Sequence, residues 1–92
     1  SHVDPTAVTT DSVILPPVYI GPGARIERSV IGPHVSIGAG TVVADCRIDN
    51  ALIQDHSTLE NARLSGAMIG SHAHVDGGVR DVSLGDYSTM QG

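Results

Sequence analysis

All eight isoleucines of this 92-residue chain fall on one counting series. It runs Val8, Ile14, Ile20, Ile26, Ile31, Ile37, Val43, Ile48, Ile53, Leu59, Leu64, Ile69 and Val75, in steps of five or six residues. It resumes at Leu84 and Met90 after one longer gap. Two residues before each member sits a small or narrow side chain, among them Thr6, Ser12, Ala24, Ser29, Thr41, Cys46, Ser57, Ala62 and Ala73. Neither the helical period of 3.6 nor the strand period of 2 produces this pattern. A chain that turns a corner about every six residues, with one bulky aliphatic pointing inward per side, does produce it, and that is the hexapeptide signature of a parallel β-helix.

Every third member of the series forms a column. Ile14, Ile31, Ile48, Leu64 and Leu84 make one, Ile20, Ile37, Ile53, Ile69 and Met90 a second, and Val8, Ile26, Val43, Leu59 and Val75 a third. Members of a column are mostly 16 to 18 residues apart, so three short sides make one coil. The expected fold is therefore all-β, a single-stranded triangular prism of about five coils in which each coil buries its apolar edge against its neighbours. The small residue before each aliphatic is a steric requirement, since two bulky side chains per side would overfill a narrow interior. The lack of Phe and Trp agrees with so tight a cross-section.

The length is that of one small domain, 1–92. Within it the register divides the chain into a weak first coil over 1–13, regular coils over 14–75, an insert at 76–83 that leaves the prism as a loop or small hairpin, and a closing segment at 84–92. Val79 and Val82 would let that insert cap the open end of the helix, which otherwise invites edge-to-edge association. Pro22 and Pro33 follow register glycines, where a fixed φ suits a turn. Asn50 and Asn61 suit corners of the five-residue sides, because Asn tolerates positive φ.

Charge narrows the function classes. Ten acids stand against five arginines, with no lysine, for a net charge of −5, and only two residues are aromatic. No basic face is available for nucleic acid. No apolar run approaches the ~18 residues of a membrane span, and no signal-peptide pattern opens the chain. A cytoplasmic location is the default expectation, with no nucleic-acid or membrane partner. The opening Ser1-His2, without an initiator Met, suggests a piece of something longer. A single cysteine excludes an internal disulfide, and the inward position of Cys46 makes it a filler thiol.

Histidines are the only candidates for chemistry. His34, His56 and His72 each lie three residues after a register isoleucine, which puts His56 and His72 on adjacent coils of one column. An imidazole at a subunit boundary could serve as general base for an acyl acceptor. A zinc site from His56, His72 and His74 is a further alternative. The structural reading of all of these is an exposed or interfacial histidine with no catalytic task. Arg28, Arg47 and Arg63 fall on similar sides and could form an anion-attracting stripe, or simply a solvated face. There is no phosphate-loop or dinucleotide-binding pattern.

The phrases PPVYIG (16–21), ERSVIGPHVSIGAGT (27–41) and VSLGDYS (82–88) carry a resemblance over about residues 12 to 90. They resemble the C-terminal left-handed β-helix of long-form glucose-1-phosphate thymidylyltransferases and related sugar-phosphate nucleotidylyltransferases. The resemblance implies a left-handed coil, against the right-handed rule for parallel crossovers. It also implies that nucleotidyl transfer, with its Mg2+, belongs to a separate N-terminal domain, so no catalytic, cofactor-binding or metal residue carries over to this chain. The expected role is assembly as a homotrimer, or regulation of that attached domain. The alternative is an acyl-CoA-dependent hexapeptide acyltransferase, with acetyl-CoA as cofactor and His34, His56 or His72 as base.

Overall fold

In the computed structural model, residues 2–77 are described in full; beyond them the backbone is described at 79–80, 83–84 and 89–91. The chain winds into a left-handed parallel β-helix, with no helical segment among the described residues. Successive strands visit three faces in rotation. The first face stacks His2–Val3, Val18–Ile20, Val35–Ile37, Ala51–Ile53, Met68–Ile69 and Ser83–Leu84. The second stacks Val8–Thr10, Arg25–Glu27, Val42–Ala44, Thr58–Glu60, His74–Asp76 and Thr89–Gln91. The third stacks Val13–Ile14, Val30–Ile31, Arg47–Asp49, Arg63–Ser65 and Val79–Arg80. Every described pairing is parallel, for example Ile20 opposite Ile37, Ile26 opposite Val43 and Ile31 opposite Ile48.

The interior is the expected one from Val18 to Val75. Ile20, Ile26, Ile31, Ile37, Val43, Ile48 and Leu59 are fully buried, and the residues two before them are buried as well. Removing that much aliphatic surface from water, at about 25 cal/mol per Å2, is the main favourable term. The small positions also do something the spacing did not reveal. Three of the buried ones are hydroxyls that join consecutive coils. Ser57 Oγ donates to the Gly70 carbonyl at 2.7 Å and accepts from the Ala73 N–H at 3.2 Å. Thr41 Oγ1 donates to Gln54 O at 2.8 Å, and Ser29 Oγ donates to Glu27 O at 2.7 Å while accepting from Cys46 N–H at 3.1 Å. Among the described residues no buried side-chain N or O lacks a partner, so these hydroxyls carry no desolvation penalty.

Three register assignments need correction. In the first coil the second-face strand pairs Thr9, not Val8, with Ile26, and Val8 faces water at 50% exposure. Its small partner is accordingly Ala7 rather than Thr6, and Ala7 packs against the core. Leu84 stands opposite Ile69 and Met90 opposite Val75, so each belongs to a different column from the one expected. The expected insert at 76–83 does not leave the prism where it is described, since Val79–Arg80 pairs with Arg63–Leu64 in the third-face ladder. Residues 78, 81 and 82, and with them the capping role expected of Val82, lie outside the described residues. The third-face ladder thus runs on at 79–80, which a count that assumed an excursion could not register.

Candidate functional site

The corners between faces decide where the polar side chains stand. Between the first and second faces, the turns of the second to fifth coils each place one residue at positive φ, namely Gly23, Gly40, His56 and His72. Corner N–H groups bond to the coil before them, His56 N–H to Ala39 O at 2.8 Å and His72 N–H to Asp55 O at 3.0 Å. Asp55 braces the same row by accepting the Ala39 N–H at 2.9 Å. Stacked backbone positions bring the two imidazoles together, with ring centroids 5.3 Å apart and planes inclined by 21°. The shared column read from the spacing is thus present. The ring of His56 lies over Gly40, where a β-carbon would overlap it.

His34 stands elsewhere. It occupies the positive-φ position between the third and first faces, in a row with Asn50 and Gly66. The three candidate bases therefore lie on two separate edges of the prism. His74 points outward from the second face beside Thr58. Among the described residues no three or more His, Cys, Asp or Glu side chains gather where they could hold a metal ion, which corrects the zinc alternative built on His56, His72 and His74. Cys46 is buried, its Sγ donating to Ala44 O at 3.1 Å, and desolvation pushes the thiol above its ordinary range. A thiol so placed is an inert filler.

The remaining corner, between the second and third faces, holds Asp11, Arg28, Asp45 and Asn61 at positive φ. Here Arg28 grips Asp45 through two bonds, Nε to Oδ1 at 2.8 Å and Nη2 to Oδ2 at 3.2 Å. That hydrogen bonding holds the Asp45 carboxyl below the ordinary carboxylate range and raises the Arg28 guanidinium. Arg25 and Arg28 also approach Glu27, at 3.7 and 3.8 Å. The arginine stripe expected from 28, 47 and 63 is therefore divided. Arg28 belongs to an ion-paired corner, while Arg47 and Arg63 stand in register on neighbouring strands of the third face. Spacing showed that Arg47 and Arg63 stack. It could not show which arginine had taken the carboxylate, because that depends on the corner conformation of Arg28 and Asp45.

The uncharged surface was not anticipated. Outward positions on the first face are Tyr19, Ser36, Leu52 and Met68, with Tyr19, Leu52 and Met68 exposed at 46%, 39% and 55%. The equivalent positions carry Arg25 and His74 on the second face, and Arg47 and Arg63 on the third.

Known proteins place the chain in its family. Residues 1–50 match the model described as the GlmU-like C-terminal hexapeptide domain. The chain is 26% identical to a glucose-1-phosphate thymidylyltransferase of Streptomyces griseus over 95 aligned positions, which take in 97% of this chain and 27% of that protein. A shorter stretch of 35 residues is 49% identical to glucose-1-phosphate adenylyltransferase 2 of Alkalilimnicola ehrlichii, covering 38% of this chain and 8% of that one. Among solved structures, a variant of perosamine N-acetyltransferase from Caulobacter crescentus, in complex with CoA and GDP-perosamine, aligns over 98% of this chain and 52% of its own, at a TM-score of 0.45 and 24% identity. The chain thus spans only a minor part of the curated relatives it matches. Hexapeptide β-helices of this kind occur in nucleotidyltransferases and in acetyltransferases. With its first half matched by the family model, its interior columns in place and its resemblance to sugar-phosphate nucleotidylyltransferases met, the chain belongs to the GlmU-like C-terminal hexapeptide family.

Proposed function

We propose that this chain is the β-helix domain of a nucleotidyltransferase that makes a nucleotide sugar from a sugar 1-phosphate and a nucleoside triphosphate, and that it assembles and regulates the enzyme without performing the transfer. The observation that carries the reading is the alignment to a thymidylyltransferase along 97% of this chain within 27% of the relative, which leaves the remainder of such a protein for catalysis. Fold alone would not decide this. The reading includes a cytoplasmic location and an attached catalytic domain that binds Mg2+.

Assembly follows from the uncharged first face. Tyr19, Leu52 and Met68 leave an apolar strip on a flat wall, and three prisms with parallel axes cover three such walls around a threefold axis. Light scattering on the 92-residue chain is expected to give a trimer, and Leu52→Glu a monomer that keeps its β-rich spectrum. A wild-type monomer at about 10 μM would contradict the assembly role. Pyrophosphate release from a nucleoside triphosphate and glucose 1-phosphate with Mg2+ should be at background for this chain, and turnover would overturn the division of labour.

The stacked, exposed imidazoles of His56 and His72 favour one second reading, acyl transfer from acetyl-CoA with one of them as base. Thiol release in the presence of amino-sugar acceptors, lost in His56→Ala or His72→Ala, would establish it. No release with any acceptor would end it for this chain.

A further inference from the structure

We infer that Arg47 and Arg63 form an anion site on the third face, built to take a phosphate group. The two residues are direct partners on adjacent parallel strands. Adjacent strands lie ~4.8 Å apart, so two exposed arginines leave one wall side by side. Like charges directly opposite one another are unfavourable in a sheet. Among the described residues no acid relieves this repulsion. Among the described residues Arg25 and Arg28 have ion-pair partners, whereas no carboxylate comes within 4.0 Å of Arg47 or Arg63. The pair is also placed where it could have been neutralised. Asp45 lies at the adjoining corner, but both its oxygens are taken by Arg28. Asp49 follows on the strand of Arg47, and its Oδ2 accepts from Asn50 and from Ser65, at 3.2 and 3.3 Å.

The surface between these groups is concave. Arg28, Asp45, Arg47, Asn61 and Arg63 line a depression of about 400 Å3, large enough for a phosphate and part of the molecule that bears it. Cys46 and Ala62, two small buried residues, complete its lining. A guanidinium offers two parallel N–H donors matched to the oxygens of a phosphate, and two such forks side by side suit a doubly charged group better than chloride or a monocarboxylate. The inference does not depend on the proposed function, since it rests on this wall alone.

The shared chemistry is a phosphate oxyanion, free or esterified, and the experiment separates the sources. Chemical-shift titration of the 15N-labelled chain, at constant ionic strength, uses inorganic phosphate, pyrophosphate, glucose 1-phosphate and chloride as probes. The expected result is saturable shifts at the amides and Nε–H groups of Arg47 and Arg63, and at Asn61, tighter for pyrophosphate than for phosphate and absent for chloride. A sugar phosphate binding more tightly than free phosphate would identify an esterified ligand, and equal binding a free one. Arg63→Gln should weaken binding at least fivefold, the Arg47→Gln, Arg63→Gln double variant should abolish it, and Arg63→Lys should keep only part of it. Because the pair is repulsive without a ligand, Arg63→Gln should also raise the melting temperature in chloride and lose the stabilisation that phosphate gives the wild type. Shifts that follow ionic strength alone, or that survive in the double variant, would overturn the site.

Discussion

The first coil and the middle coils obey the same pattern and behave differently. In the middle, Ile31 and Ile48 have a stacked neighbour above and below and are completely buried. In the first coil, the inward Ile14 is only partly buried, and Val3, in register with the buried Ile20, is exposed at 43%. The residues are no less apolar. They differ in having one neighbour rather than two, so half of each side chain meets no partner. A solenoid buries by stacking, and an aliphatic is worth as much as the coils that flank it.

The comparison can be broken most forcefully from the middle. Ile37→Asp places an unpaired carboxylate at a fully buried position, and the folded state should be lost, read as collapse of amide dispersion in an NMR spectrum at 25 °C. A native-like melting curve for this variant would deny that the column is the core. Next, Ile48→Ala and Ile14→Ala delete the same atoms from one column, two coils apart. Urea unfolding should cost about 2–5 kcal/mol at position 48, in line with buried large-to-small changes, and less than half as much at position 14. Equal losses would mean that the end coil is as well packed as the centre. The smallest effect is at the surface. Asp45, whose carboxyl is held low by Arg28, adds stability above its unfolded pKa, and this is lost as pH falls through its folded value. Melting temperatures from pH 6 to pH 3 should fall slightly more for the wild type than for Asp45→Asn, and the Asp45 pKa, followed by NMR, should lie below 3.8.

Much of the fold is written in the chain because the interior asks a repetitive question. From Val18 to Val75 each wall admits one narrow and one branched side chain, and the spacing alone identifies both. The ends escape this logic. Val8 and Thr9 are both β-branched, and with no coil outside them, burial does not discriminate; the backbone ladder chose Thr9. Leu84 and Met90 were put in the wrong columns because the last coils are shortened, with Leu84 only 15 residues beyond its partner Ile69. The site was half legible. That His56 and His72 share an edge followed from counting. That His34 does not share it followed from the same counting, since Ile31 belongs to a different column from Ile53 and Ile69. The division of the arginines rests on the turn that lets Arg28 fold onto Asp45, which no spacing rule encodes.

One property of the ladder reaches beyond stability. Ile14 to Ile31, Ile31 to Ile48 and Ile48 to Leu64 are all joined across 17, 17 and 16 residues. Each turn added to a growing stack therefore closes a circuit of nearly constant length, at nearly constant entropic cost. Assembly of the chain is a zipper whose slow event is the first pair of turns, and a protein of this design can lengthen by whole turns without becoming slower to fold.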